Sequence, residues 1–148
     1  MNIDTIENGY VIDHITPRKA MEIYSLLELD KLECQVALIT NAKSNKTKIK
    51  DIIKIGKLID IDLDKLAFID PNVTVNVVKN NIIIEKKKIT NPEVIVNVTK
   101  CTNPRCITSI ERDLDQIFIL TDKETNTYRC KYCESRLNSW LLWGLYSK

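Results

Sequence analysis

Along the first two thirds of the chain, apolar positions switch between the period of two expected of half-buried strands and the longer period of amphipathic helices. GYVIDHI, Gly9 to Ile15, reads as a short strand opened by a glycine. TPRKAMEIYSLLEL follows and predicts a helix with Thr16 as N-cap, Pro17 at the first helical position, and Ala20, Ile23 and Leu27 on one face. CQVALIT is a second strand, and after a lysine-rich connection KDIIKIG is a third. DLDKLAFI gives a short second helix and TVNVV a fourth strand, from which the pair Asn80 and Asn81 turns into IIIE. The order βαββαβ with an appended hairpin strand is the ferredoxin-like split βαβ pattern, in which both helices cover one face of the sheet. The other face or an edge is left for function.

The pattern changes near KKKITNPEVIVNVTK. Beyond it come closely spaced cysteines and short β-rich runs such as IFIL and TYRCKYC, so two domains are expected, residues 1–92 and 93–148. The run VIVNV lies at their junction and is placed to pack between them. The second domain is small enough for a core alone to be marginal. The expected fold class is therefore α+β, a ferredoxin-like domain followed by a small β-rich module.

The cysteines say what holds that module together. CTNPRC and CKYC give the spacing C-x4-C-x23-C-x2-C over Cys101, Cys106, Cys130 and Cys133, while Cys34 stands apart. Two knuckles of this kind deliver four thiolates to one tetrahedral Zn²⁺, and metal binding would then supply much of the folding free energy. Disulfide or redox use of the pairs is the other reading, and a redox CxxC would want a strand and helix around it. A catalytic zinc would want an open position, usually with histidine in the set, and His14 is the sole histidine, far upstream. Chemistry at the metal is not expected.

Composition narrows the remaining choices. The 148 residues are 44% hydrophobic and 28% charged, an ordinary globular balance. Neither a signal segment nor a run of roughly 20 apolar residues occurs, so a cytoplasmic chain without membrane partners is expected. The formal net charge of +2 falls to about zero once four thiolates hold a divalent ion, which is not the mark of a nucleic-acid binder. Three glycines leave room for neither GxxxxGK[ST] nor GxGxxG. A nucleophile would have only His14 as base, so the chain reads as non-catalytic.

Six lysines fall between Lys43 and Lys57 against one acid, Asp51, and EKKK adds Lys86, Lys87 and Lys88. Such runs are commonly a solvated face or a guard on an edge strand. Lys54, however, lies inside an apolar strand and Lys86 ends another, so both can reach one side of one sheet and meet the oxygens of a polyphosphate. Asp13 and His14 are adjacent in VIDHI and point to opposite faces if that strand is regular.

The combined pattern of GYVIDHI, KDIIKIG, TVNVV and CTNPRCI…YRCKYCE resembles the regulatory chains of aspartate carbamoyltransferase, in that family's order and over nearly the whole chain. The resemblance implies a non-catalytic allosteric subunit in pyrimidine biosynthesis. Its first domain would pair with a second copy and bind CTP, ATP or UTP; its zinc domain, holding one structural ion, would dock the catalytic chain. By position the resemblance carries effector binding to Ile6, Asp13, His14, Lys54, Asn76 and Lys86, with His14, Lys54 and Lys86 on the ribose and phosphate side. Backbone groups of Ile3 to Ile6 would meet the base. The family often has an aromatic residue in the turn after the fourth strand, where this chain has Asn80 and Asn81, so the resemblance does not carry base stacking to that turn. A zinc-ribbon nucleic-acid binder is the alternative. The apolar tail NSWLLWGLYSK is expected to pack against the zinc domain or its partner.

Overall fold

The structure is a computed structural model that describes residues 6–45 and 48–137. Residues Ile3 to Thr5 and the tail from Asn138 onward, both given roles above, lie outside the described residues. The chain divides into two compact units, 1–90 and 91–148. The division falls two residues before the boundary expected, because Asn91 and Pro92 are bonded into the second unit. The Asn91 side-chain amide donates to Asn126, and the Pro92 carbonyl accepts from the Tyr128 hydroxyl at 2.7 Å.

The first unit holds β1 (Gly9–Ile15), α1 (Ala20–Leu26), β2 (Val36–Lys43), β3 (Ile49–Ile55), α2 (Leu63–Ile69), β4 (Thr74–Lys79) and β5 (Ile82–Lys88). The sheet runs β2-β3-β1-β4-β5 with every neighbour antiparallel, which is the ferredoxin-like order extended by one edge strand. Register puts Ile12, Ile53 and Val75 abreast on one face, each nearly inaccessible, with Ile55 following. Helix α1 packs against β3 and α2 and contributes Ala20, Ile23 and Leu26 to this core. Gly9 opens β1 because a Cβ there would lie 1.9 Å from the Ile55 carbonyl oxygen. Asn80 and Asn81, at φ 52° and 66°, form the tight β4–β5 turn that two left-handed residues permit.

Helix α1 starts later than its sequence suggests. Thr16 and Pro17 belong to a turn closed by the Lys19 N–H on the Thr16 carbonyl, with Arg18 at φ 77°, and Lys19 caps the helix without a side-chain bond. The Thr16 N–H instead donates to buried Asp70 at 2.6 Å. The helix ends at buried Leu26 and Leu27 is its C-cap, so Leu26 rather than Leu27 completes the apolar face with Ala20 and Ile23. Helix α2 is capped as its sequence allows, Asp62 accepting from the N–H groups of Asp64 and Lys65.

Strand β1 is not regular at its end. Its register to β3 shifts between Ile12 and Ile15, with His14 at φ 59°, so a bulge returns Ile15 to the core. Strand β2 shifts likewise between Ile39 and Ala42, with Asn41 at φ 59°. One carboxylate ties the β2 bulge to the turn that follows β1. Asp51, on β3 between them and 1% exposed, accepts the Arg18 N–H at 3.0 Å and the Asn41 N–H at 3.1 Å.

The second unit holds β6 (Val94–Val96), β7 (Ile117–Asp122) and β8 (Thr127–Cys130) in an antiparallel sheet. Ile95, Phe118, Tyr128 and Cys130 are buried, whereas Val94 and Val96 are exposed. No helix among the described residues is long and apolar enough to cross a membrane.

Asp51→Ala is expected to leave two backbone N–H groups without their acceptor and to lower the stability of the first unit by about 2–4 kcal/mol. Urea unfolding followed by circular dichroism measures it; a loss below about 1 kcal/mol would mean that the turn and the β2 bulge hold without the carboxylate.

Candidate functional site

The sheet face opposite the helices collects the polar residues of the first unit. Across four strands, register sets Lys54 beside Val11, Val11 beside Asn76, and Asn76 beside Lys86. The next row sets Asp13 beside Thr74 and Thr74 beside Lys88. Neighbouring strands lie about 4.8 Å apart, so these side chains rise from one strip roughly 15 Å long. Asp13, Lys54, Asn76 and Lys86 thus share a face, although they are spread over more than seventy residues of sequence.

Electrostatics on this strip are organised around Asp13. Lys50, on the same face of β3, reaches its carboxylate at 2.9 Å, and the His14 backbone N–H donates to it at 2.7 Å. Burial pushes the Asp13 carboxyl up, but the Lys50 and His14 hydrogen bonds and charges outweigh it and hold the group below its ordinary value. It is a carboxylate at neutral pH. The His14 ring, carried on the bulge, places Nδ1 4.0 Å from that carboxylate, too far for a hydrogen bond. His14 Nδ1 and Asn76 Oδ1 are buried polar atoms without a hydrogen-bond partner. Buried groups of this kind are rare and call for a partner.

Next to His14 the strand ends enclose a cavity of about 480 Å³, lined by Thr16, Pro71, Thr74 and Lys88 among others. It continues the polar strip at the Lys88 end. Ile6 is half-buried; its neighbours Glu7 and Asn8 accept the backbone N–H groups of Asn81 and Asn80, which ties this segment to the β4–β5 turn. The sequence reading counted Lys50 and Lys88 among the lysine runs but assigned neither of them, nor Thr74, to the site. The signal for Lys50 was present, since it stands four residues before Lys54 in one strand and so on the same face.

In the second unit the four paired cysteines converge. Their Sγ atoms all lie within 4.8 Å of one another, Cys101 to Cys133 at 3.5 Å and Cys106 to Cys130 at 3.7 Å. A disulfide would need roughly 2 Å, whereas thiolates around one tetrahedral ion at about 2.3 Å stand near 3.8 Å apart. The donor set therefore fits a metal. Turns build the knuckles: Cys106 N–H donates to the Asn103 carbonyl, and Cys130 exchanges backbone bonds with Glu134 and Ser135. Thr108 Oγ1 donates to Cys106 Sγ at 3.1 Å, an outer contact the sequence reading passed over. Burial and the neighbouring sulfurs push Cys101 up to about 12, although the Asn103 backbone works the other way. Burial opposes ionisation of Cys133 as well, but bonds from Ser135 and Asn103 outweigh it and bring it to about 6. A divalent ion removes this conflict by favouring all four thiolates.

Residues 1–90 match the family model described as the aspartate carbamoyltransferase regulatory chain, allosteric domain, and residues 93–140 match the model of its metal binding domain. This chain belongs to the aspartate carbamoyltransferase regulatory chain family. It is 48% identical over 134 residues to the regulatory chain of Clostridium botulinum, covering 90% of this chain and 92% of that one. It is 45% identical to that of Clostridium acetobutylicum over the same shares, and 42% identical to that of Bifidobacterium longum, covering 90% and 96%. The chain is thus a regulatory and not a catalytic chain, and the nucleic-acid alternative gains no support. The metal-binding match and the converging thiols together support a structural metal ion.

Thr108→Val removes a donor to a ligand sulfur while keeping the side chain's shape. It is expected to weaken metal affinity by about 10- to 100-fold, measured by competition with a chromophoric chelator. Unchanged affinity would return Thr108 to a packing role.

Proposed function

We propose that this regulatory chain senses nucleoside triphosphates on the open face of its five-stranded sheet and docks the catalytic chain through a zinc-folded second unit. The observation that carries the first part is the strip of Asp13, Lys54, Asn76 and Lys86, flanked by two buried polar atoms in need of partners. Ionised Asp13 suits ribose hydroxyls. Lys86 and Lys88, with His14 and the adjoining cavity, suit a chain of phosphates, and Lys54 with Asn76 suits the sugar and base. CTP, ATP and UTP share this chemistry. Ile6 would meet the base edge through its backbone.

For the metal, four clustered thiolates without an open position favour one structural Zn²⁺ per chain. The zinc sets the knuckles when bound; the chain's own contribution is the turn hydrogen bonds and the Thr108 contact. Free thiols agree with a cytoplasmic setting. Pairing with a second copy is supported by β5, an edge strand whose Ile82, Ile83 and Ile84 are 64%, 48% and 58% exposed. In the assembly the nucleotide acts by binding one state of the complex more tightly, and the catalytic chain's substrate must shift nucleotide affinity by the same factor.

Lys54→Ala and Lys86→Ala are each expected to weaken CTP binding by about tenfold, read by calorimetry with zinc content unchanged. Full affinity in both variants would move the effector site off this face. The assembled enzyme then decides the function: aspartate saturation measured with and without CTP, ATP and UTP should differ, and a curve unmoved by all three would leave the chain a structural bridge.

Ile83→Glu, which puts a charge in the middle of the β5 edge, is expected to convert the free chain from dimer to monomer in analytical ultracentrifugation. A variant that stays dimeric would place the contact elsewhere.

A further inference from the structure

Residues 116–118, where β7 begins, hold the main chain on both sides of the cysteine cluster. On the second knuckle, Phe118 pairs with Cys130 and the Ile117 carbonyl accepts the Lys131 N–H at 2.9 Å. On the first knuckle the contact is a single side chain. Gln116 Oε1 accepts the Cys101 N–H at 3.1 Å.

Cys101 needs such support more than the buried ligands do. Residues 97–103 form neither helix nor strand. Cys130 ends β8, and the Cys106 N–H is held within its own knuckle by the Asn103 carbonyl, whereas Cys101 is reached from outside its knuckle. Cys101 and Cys133 are half-buried, while Cys106 and Cys130 are buried. Ordering a ligand on an irregular, partly open segment opposes coordination unless the protein has already fixed it.

Gln116 is itself seated through both ends of its backbone. Its carbonyl accepts the Asn97 N–H at 2.8 Å, and its N–H donates to Asn97 Oδ1 at 2.9 Å. Asn97, at φ 56°, is in the left-handed conformation and donates its side-chain amide to Asp115 Oδ1 at 3.0 Å. The segment from Asn97 to Cys101 therefore has both ends tied to one residue.

We propose that Gln116 is a positioning residue of the metal centre, holding Cys101 in place for the ion and so setting how readily this ligand lets go. This role presupposes that the four thiolates hold a metal, and it names the ligand at which release begins. Removing a hydrogen bond that orients a metal ligand typically costs about 10- to 100-fold in metal affinity.

The full chain loaded with Zn²⁺ is treated with N-ethylmaleimide, and modification of each cysteine is timed by peptide mass mapping, with Cys34 as the reference outside the cluster. Gln116→Met keeps the side chain's length and removes its acceptor. Cys101 is then expected to react about tenfold faster than in the unaltered chain and ahead of Cys106, Cys130 and Cys133, with Zn²⁺ passing to a chelator faster by a similar factor. Gln116→Glu keeps an oxygen at the same reach and should restore both rates. Asn97→Gly, which a left-handed backbone accepts, removes the side-chain bond that seats Gln116 and should move Cys101 in the same direction; it stands in if Gln116→Met holds no Zn²⁺. Equal acceleration at all four cysteines, an unmoved Cys101, or Gln116→Glu behaving like Gln116→Met overturns the proposal. An unaltered chain that holds no Zn²⁺ overturns it together with the metal reading, so metal content tells the two failures apart.

Discussion

The first unit turns on one buried carboxylate. Asp51 sits where two strands on either side of it each carry one residue too many, and it accepts a backbone N–H from each side. Unpaired, those groups would be costly; paired, they fasten the Thr16–Lys19 turn and the β2 bulge to β3, beside the β1 bulge that returns Ile15 to the core and holds His14 in a left-handed conformation. The position of the His14 ring relative to Asp13 and the neighbouring cavity follows from that bulge. A core residue facing away from the polar strip thus anchors the turn that follows the β1 bulge.

The second unit solves a different problem. Its described core amounts to a few side chains, chiefly Ile95, Val98, Phe118 and Tyr128, beneath one short sheet. Four thiols brought within a few ångströms take the place of a larger interior. The two units therefore respond to different insults: the first to loss of packing or of a hydrogen-bonded carboxylate, the second to loss of its ion.

Sequence revealed most where the determinants are local. The strands around Ile12, Ile53 and Val75, the short helix α2 and the Asn80–Asn81 turn each rest on residues within one or two turns of chain, and each occurs as the pattern suggests. The cysteine knuckles likewise carry their own spacing. The misplaced start of α1 has a distant cause, since Thr16 and Arg18 bond to Asp70 and Asp51, 54 and 33 residues away. The bulge at His14 was hidden for the same reason. On the strip, Asp13 and Lys54 were legible, but the Lys50 contact required knowing that β3 lies beside β1 with a shifted register.

The β5 edge combines three isoleucines with three lysines, separated by Glu85. When two copies of such an edge meet antiparallel about a two-fold axis, paired positions have residue numbers that sum to a constant. With the axis at Ile83, Ile82 meets Ile84 and Lys86 meets Asn80; with the axis slid to Lys87, Lys86 meets Lys88 and Lys87 meets itself. Like charges directly opposed are unfavourable, and a slip by a single residue would turn every side chain to the wrong face. Were two copies to pair through β5 as proposed, the lysines at its far end would act as a partial key for alignment, disfavouring the offsets that set them against one another.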